Sequence, residues 1–263
     1  LKMKESNMFI DKLSLIRLDN TFKATLCCCF FSYVTEYEEI IQHLHPQERN
    51  YYYTLKYEKR SSSYLLGRFV AKQAVAAITG EKYLTNICIQ SGVFNQPIAV
   101  HNKQNIQVSI THCGGFGAAL AFSEAHPMGI DVEQIKLNKR DVFEKQSTNL
   151  EKLELNSIPI SYDMGLTLLW TVKEALSKVL KTGLTVPLNL FEISKIELSN
   201  YYIVSYYKNF TQYKAISFTI GNYMCSIVLP LKTKLSFNIQ SLKSSFSFVE
   251  SFNDVTLLNN FSK

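Results

Sequence analysis

One arrangement constrains the fold of this chain more than any other: a helical pattern followed by an alternating, strand-rich stretch occurs twice. The first round opens near Pro46 with a polar, Tyr-rich segment. A helical pattern then runs over about 61–78 and is stopped by Gly80. Strand patterns follow at 86–90, 98–101, 106–110 and 118–122. The second round has a helical pattern over about 166–180, stopped by Gly183, and aromatic-rich alternating runs at 191–198, 201–207, 213–219 and 224–229. Helix then antiparallel meander, twice, predicts an α+β protein of two similar halves, each a helix packed on an antiparallel sheet. The order of elements carries this reading, not any identity between the halves. His126-Pro127 interrupts the pattern, which gives an N-terminal half over 1–126, a C-terminal half over 127–230 and an extension over 231–263. Within the extension, the alternation Ser245-Phe246-Ser247-Phe248 reads as an edge strand or as part of a flexible tail.

Composition narrows the class. A chain of 263 residues, 46% hydrophobic and 19% charged, can bury a real core and is not a disordered segment. Its net charge of +6 favours acidic partners such as phosphates, nucleic acid or an acidic protein, without choosing among them. Its lysines are dispersed and no clustered basic-aromatic motif occurs, which argues against nucleic acid. Cys27, Cys28 and Cys29 are adjacent, and Cys88, Cys113 and Cys225 are scattered. No C-x-x-C pair exists, so the expectation is free thiols in a reducing cytoplasm and no zinc site. The apolar run over 24–34 is too short to cross a membrane and reads as a core strand. A cytoplasmic protein without membrane partners is expected.

Two short segments carry chemistry. In Met128-Gly129-Ile130-Asp131-Val132-Glu133, two acids sit at i and i+2 of a strand-like run, so both face one side of a sheet. In Trp170-Thr171-Val172-Lys173-Glu174-Ala175-Leu176-Ser177-Lys178, Glu174 and Lys178 lie one helical turn apart on one face. Acids at a strand end are ordinarily solvated or paired with lysine, and a Glu–Lys pair on a helix is ordinary decoration worth ~0.3–0.5 kcal/mol. Together, three acids and a lysine would make an oxygen-rich site for a hard divalent cation, suited to holding and cleaving a pyrophosphate.

These residues resemble the 4′-phosphopantetheinyl transferase superfamily, and the length and two-part plan look like its surfactin-synthetase-activating, pseudo-twofold type. The resemblance rests on Gly129-Ile130-Asp131-Val132-Glu133 and on Trp170-x-x-Lys173-Glu174-Ala175-x-x-Lys178 followed by Gly183-Leu184. It is extended by Val108-Ser109-Ile110-Thr111-His112-Cys113 and by Leu65-Leu66-Gly67-Arg68, in the family's order and spacing. It implies Mg²⁺-dependent transfer of the phosphopantetheine arm of coenzyme A to a serine of an acyl or peptidyl carrier protein, with release of 3′,5′-ADP. Asp131, Glu133 and Glu174 would hold the metal. Glu174, or Glu151 in the intervening segment, would take the serine proton, although Glu151 reads equally well as an exposed acid on an amphipathic helix. Lys178 would stabilise the departing phosphate or give it a proton. Lys173 would contact phosphate or support its neighbours, and Thr111, His112, Arg60 and Arg68 would bind coenzyme A.

The chain departs from the family at basic positions: Tyr51, Ser63 and Gln96 stand where lysine or arginine is common. Arg49, Lys56, Arg60, Arg68 and Lys72 lie nearby, with Arg68 and Lys72 on one helix face that also reads as a solvated basic surface. These departures motivate an alternative, a non-catalytic carrier-binding module that kept the fold. The 134–165 insert, apolar and basic, is the candidate docking surface for the carrier.

Overall fold

A computed structural model describes residues 7–31, 34–101 and 105–249. The elements run, in chain order, β1 (Met8–Ile16), β2 (Thr21–Phe30), α1 (Val34–Ile40), α2 (Pro46–Tyr52), α3 (Glu58–Thr79), β3 (Cys88–Ser91), β4 (Pro97–Val100), β5 (Ile106–Cys113) and β6 (Phe116–Ser123). They continue with β7 (Gly129–Gln134), α4 (Arg140–Lys145), α5 (Asn149–Asn156), α6 (Tyr162–Leu180), β8 (Ile193–Leu198), β9 (Ile203–Tyr207), β10 (Tyr213–Ile220), β11 (Tyr223–Pro230), β12 (Lys234–Ser236) and α7 (Ile239–Ser245). The expected α+β class with two antiparallel sheets is what the chain adopts. By its contacts the chain divides into Leu1–Pro127 with Thr233–Asn238, and Met128–Lys232 with Ile239–Lys263. No helix among the described residues is long and apolar enough to cross a membrane.

The first unit holds a seven-stranded sheet in the order β12-β1-β2-β6-β5-β4-β3. Helix α3 lies on it and buries Leu65, Leu66, Phe69, Val70, Ala74 and Val75 against Cys27, Cys29, Ala119 and Ala121 of the sheet. Each such large apolar side chain contributes about 1.5–3 kcal/mol of burial. The helix stops at Gly80, whose φ of 74° is the left-handed turn that glycine adopts without cost. The apolar run supplies most of β2 from Ala24 to Phe30, with Cys27, Cys28 and Cys29 buried as thiols. Burial raises the Cys27 thiol far above its ordinary value, so it behaves as an apolar core residue.

The second unit holds a five-stranded sheet in the order β7-β11-β10-β9-β8. Helix α6 lies on it, packing Leu168, Leu169, Val172, Ala175 and Leu176 into a core with Ile203, Ala215, Met224 and Val228. Ser161 caps its start by accepting from the Met164 N–H, and Lys181 ends it in the left-handed conformation.

The doubling extends to single residues. Strands β2, β3, β4, β5 and β6 have the same order in their sheet as β7, β8, β9, β10 and β11 in theirs. In the first unit, Glu48 closes a capping box on α2, accepts from the Ile89 N–H of β3, and takes Lys72 of α3. In the second, Glu151 closes a capping box on α5, accepts from the Ile193 N–H of β8, and takes Lys173 of α6. Aligning Lys72 with Lys173 also aligns the two left-handed helix ends, Gly80 and Lys181. The sheets align through their hairpins: Phe116 and Tyr223, each first after its turn, lie opposite Phe30 and Gln134. Cys27, Cys28 and Cys29 therefore stand on β2 where Asp131, Val132 and Glu133 stand on β7. Gln73 and Ala77 stand where Glu174 and Lys178 stand. One unit carries the acids; the other fills the same positions with apolar or neutral groups.

Of the two readings given for 245–248, the edge strand does not form. The strand of the extension is β12, paired with β1 through Ser14–Ser236, Leu15–Leu235 and Ile16–Lys234. Ser245 instead ends α7, and Phe246, in the turn that follows with its N–H on the Lys243 carbonyl, is buried as Leu242 is. Residues 250–263 of the expected tail lie outside the described residues.

Candidate active site

The acids of the second unit meet because β7 runs close under α6. A Cβ on Gly129 would sit 2.2 Å from the Ala175 carbonyl oxygen and 2.9 Å from Val179, so only glycine permits this approach. Two residues further on, Asp131 is buried on the helix-facing side of β7, with Oδ1 accepting from Lys178 Nζ at 2.8 Å. The same Nζ donates to the Ile130 carbonyl at 2.9 Å. Glu133, next on that side, accepts from Lys139 and from the Gln134 N–H at 2.7 Å. Lys139 comes from the segment before α4 and reaches over the Phe143 ring.

Glu174 is the exception among these groups. Its Oε1 is buried with no hydrogen-bond partner. Burial pushes its carboxyl up to about 7, the Asp131 charge adds to this, Lys178 opposes it, and Glu133 adds a little more. A half-buried carboxyl that titrates near neutrality is suited to proton transfer.

Among the described residues no three His, Cys, Asp or Glu side chains are gathered closely enough to hold a metal ion. Asp131 and Glu133 are engaged by lysines. The chemistry of the donors nevertheless suits a hard cation: three carboxylates whose charges oppose one another, one with an orphaned buried oxygen.

The other expected site residues fall elsewhere. Glu151 is neither an exposed acid nor a base open to a substrate. It is fully buried, and its oxygens take Lys173 at 2.7 Å, the Ile193 N–H at 2.9 Å and the Thr148 N–H at 2.8 Å. Lys173 also donates to the Gln146 carbonyl at 2.8 Å, and burial lowers its pKa against the pull of Glu151. The pair binds α5 to α6 and leaves neither group facing a phosphate.

In the first unit, Lys72 is buried on Glu48, and Arg68 stacks over Tyr64 at 4.8 Å with Nε 3.8 Å from Glu48. The expected solvated basic face is thus turned inward, since Glu48 needs a cation once buried. Arg60 is exposed, 3.4 Å from the Tyr51 hydroxyl. Thr111 is buried on β5; His112 next to it is exposed and lies against Gly67 of α3. Tyr51 packs on Tyr64, and the Gln96 side chain accepts from the Phe94 N–H at 2.9 Å. Of the predicted residues, Asp131, Glu133, Glu174 and Lys178 come together. Sequence reasoning missed Lys139 and Glu48, for neither sits in a motif.

Comparison with known proteins bears on the second unit. Residues 127–228 match the family model described as the 4′-phosphopantetheinyl transferase superfamily. Among curated proteins no sequence matches this chain. Solved structures with some likeness include a holo-(acyl-carrier-protein) synthase from Bacillus anthracis str. Ames in complex with CoA (3′,5′-ADP). It is 22% identical, with a TM-score of 0.31, over 45% of this chain and 97% of that one. The holo-[acyl-carrier-protein] synthase of Thermotoga maritima is 16% identical, with a TM-score of 0.27, over 51% of this chain and 74% of that one. The superfamily that the two motifs resemble is the one whose model matches the half that carries them.

Proposed function

We propose that this chain is a 4′-phosphopantetheinyl transferase, moving the phosphopantetheine arm of coenzyme A to a serine of an acyl or peptidyl carrier protein. The observation that carries the reading is the unpartnered Glu174 carboxyl beside Asp131 and Lys178, within the half matched by the superfamily model. Asp131, Glu133 and Glu174 would hold Mg²⁺, which when bound neutralises charge on the pyrophosphate. The chain's own groups account for the protons. The carrier serine gives its proton to the Glu174 carboxylate as its oxygen bonds to the β-phosphorus. The bond from that phosphorus to the bridging oxygen breaks, and 3′,5′-ADP leaves with its new charge compensated by Lys178. Lys178 is partly exposed on a flexible stem, so it can turn from Asp131 to an incoming phosphate. His112 and Arg60, which are exposed, are proposed to contact coenzyme A, whereas the buried Thr111 and the inward-turned Arg68 are left to the packing of the first unit.

The insert offers a carrier surface. Leu137, Val142, Leu150 and Leu153 are each more than half exposed, next to Lys136, Lys145 and Lys152. Leu153→Asp is expected to raise the KM for the carrier about tenfold without changing coenzyme A affinity, measured by steady-state kinetics. An unchanged KM would remove the insert from the docking surface.

The alternative, a carrier-binding module without catalysis, rests on Tyr51, Ser63 and Gln96, two of which serve the chain's own packing. Calorimetry with coenzyme A and Mg²⁺ separates the readings. The transferase binds coenzyme A, and Lys178→Met weakens that binding. Carrier binding with no coenzyme A binding would favour the module.

A further inference from the structure

Three consecutive residues before Glu174 are each held by a buried polar partner from a different element. Thr171 Oγ1 lies 2.7 Å from Ser226 Oγ on β11, and Ser226 Oγ lies 2.7 Å from Ser217 Oγ on β10. The Val172 carbonyl accepts from the Tyr207 hydroxyl of β9 at 2.7 Å. Lys173 takes Glu151 of α5. Thr171, Ser226, Ser217 and Tyr207 are all essentially inaccessible to solvent.

Thr171 donates its single proton to the Leu168 carbonyl at 3.1 Å. Donation from Ser217 to Ser226 and from Ser226 to Thr171 is compatible with that bond. Ser226 lies directly opposite Asp131 across the β7–β11 ladder, and Ser217 directly opposite Ser226. The hydroxyl row therefore ties α6 to the strand positions beside Asp131, one turn before Glu174 and two before Lys178.

The first unit supplies an internal comparison. It keeps the Glu–Lys pair, as Glu48 and Lys72, but Val70 stands for Thr171, Ala119 for Ser226, Ile110 for Ser217 and Ala99 for Tyr207. The same helix-on-sheet packing forms there without the hydroxyl row or the tyrosine, so the fold does not require them. They accompany the acids. We infer that Thr171 and Ser226, with Tyr207 on the adjoining carbonyl, are positioning residues that fix the helical register of Glu174 and Lys178 against Asp131. This inference rests on the transferase reading, and its cation arm is independent of turnover. Groups that orient ligating side chains typically change affinity or activity 10–100-fold when removed.

The test compares Thr171→Val, Ser226→Ala and Thr171→Ser with Thr167→Val. Thr167 lies on the same helix and donates to the Asp163 carbonyl at 2.7 Å, so it is a matched hydroxyl without a bond to the sheet. Mn²⁺ affinity is measured by water-proton relaxation on the protein alone, and kcat and KM with carrier and coenzyme A. Thr171→Val and Ser226→Ala are expected to weaken Mn²⁺ binding and lower kcat about tenfold, with KM within twofold. Thr171→Ser should restore both within twofold, and Thr167→Val should match the parent at any equal loss of melting temperature. Equal effects of Thr167→Val and Thr171→Val, or wild-type Mn²⁺ affinity and kcat in Thr171→Val, would overturn the inference while leaving the transferase reading in place. If the parent transfers nothing, that reading fails and the Mn²⁺ comparison alone decides the inference.

Discussion

Glu174→Gln is expected to lower transfer at least a thousandfold while making the protein more stable above neutral pH. Loss of a general base alone costs about 10²–10⁴ in rate, and Glu174 is also a proposed metal ligand. The stability gain has a separate origin. The Glu174 carboxyl is raised from 4.5 to about 7, first by burial and then by Asp131. A raised folded pKa means that the protonated form is favoured on folding. Its contribution is full below about 4.5 and is lost as pH rises through about 7. The displacement is worth at most about 3 kcal/mol, and about 1–2 kcal/mol once solvent screening at a partly open site is allowed for. Urea denaturation of the metal-free protein should therefore show the parent losing stability between pH 4.5 and 7. Glu174→Gln should lack this loss and exceed the parent at pH 8. A variant less stable than the parent at pH 8 would contradict the electrostatic account of the site.

Lys173→Met is expected to be the most destabilising single change in the second unit, by about 3–5 kcal/mol. It leaves the Glu151 carboxylate buried with only backbone N–H partners. Glu151→Gln keeps those two acceptor sites in part and should cost less. The double variant should recover some of the Lys173→Met loss, because the uncompensated charge is gone. Glu151→Gln should retain activity per folded molecule within a few fold. Calorimetric unfolding with activity titrated against folded protein checks both. A thousandfold loss in fully folded Glu151→Gln would restore Glu151 as the base.

The two-halved architecture was legible because strand alternation and helix stops are local signals, and the elements after each helix fall where the patterns put them. The acid strand and the Glu174–Lys178 turn were legible for the same reason. Glu151 and Lys173 were not, since their pairing joins residues 22 apart and only a fold can say which acid is buried. Glu48 and Lys72 escaped in the same way, 24 residues apart. Lys139 carries no motif, and its partner Glu133 is reached only because the insert folds back over β7. The cysteine run at 27–29 became intelligible only through register: it marks, in apolar form, the positions that Asp131, Val132 and Glu133 occupy in the other unit. Sequence identity between the halves is too low to show that correspondence, whereas a buried ion pair and a helix end do.

The most direct test of the central claim is the intact mass of apo acyl and peptidyl carrier proteins after incubation with this protein, coenzyme A and Mg²⁺. A gain of one phosphopantetheine on a carrier, absent when Glu174→Gln replaces the parent, is the predicted result. No gain on any carrier, or an undiminished gain with Glu174→Gln, would contradict it.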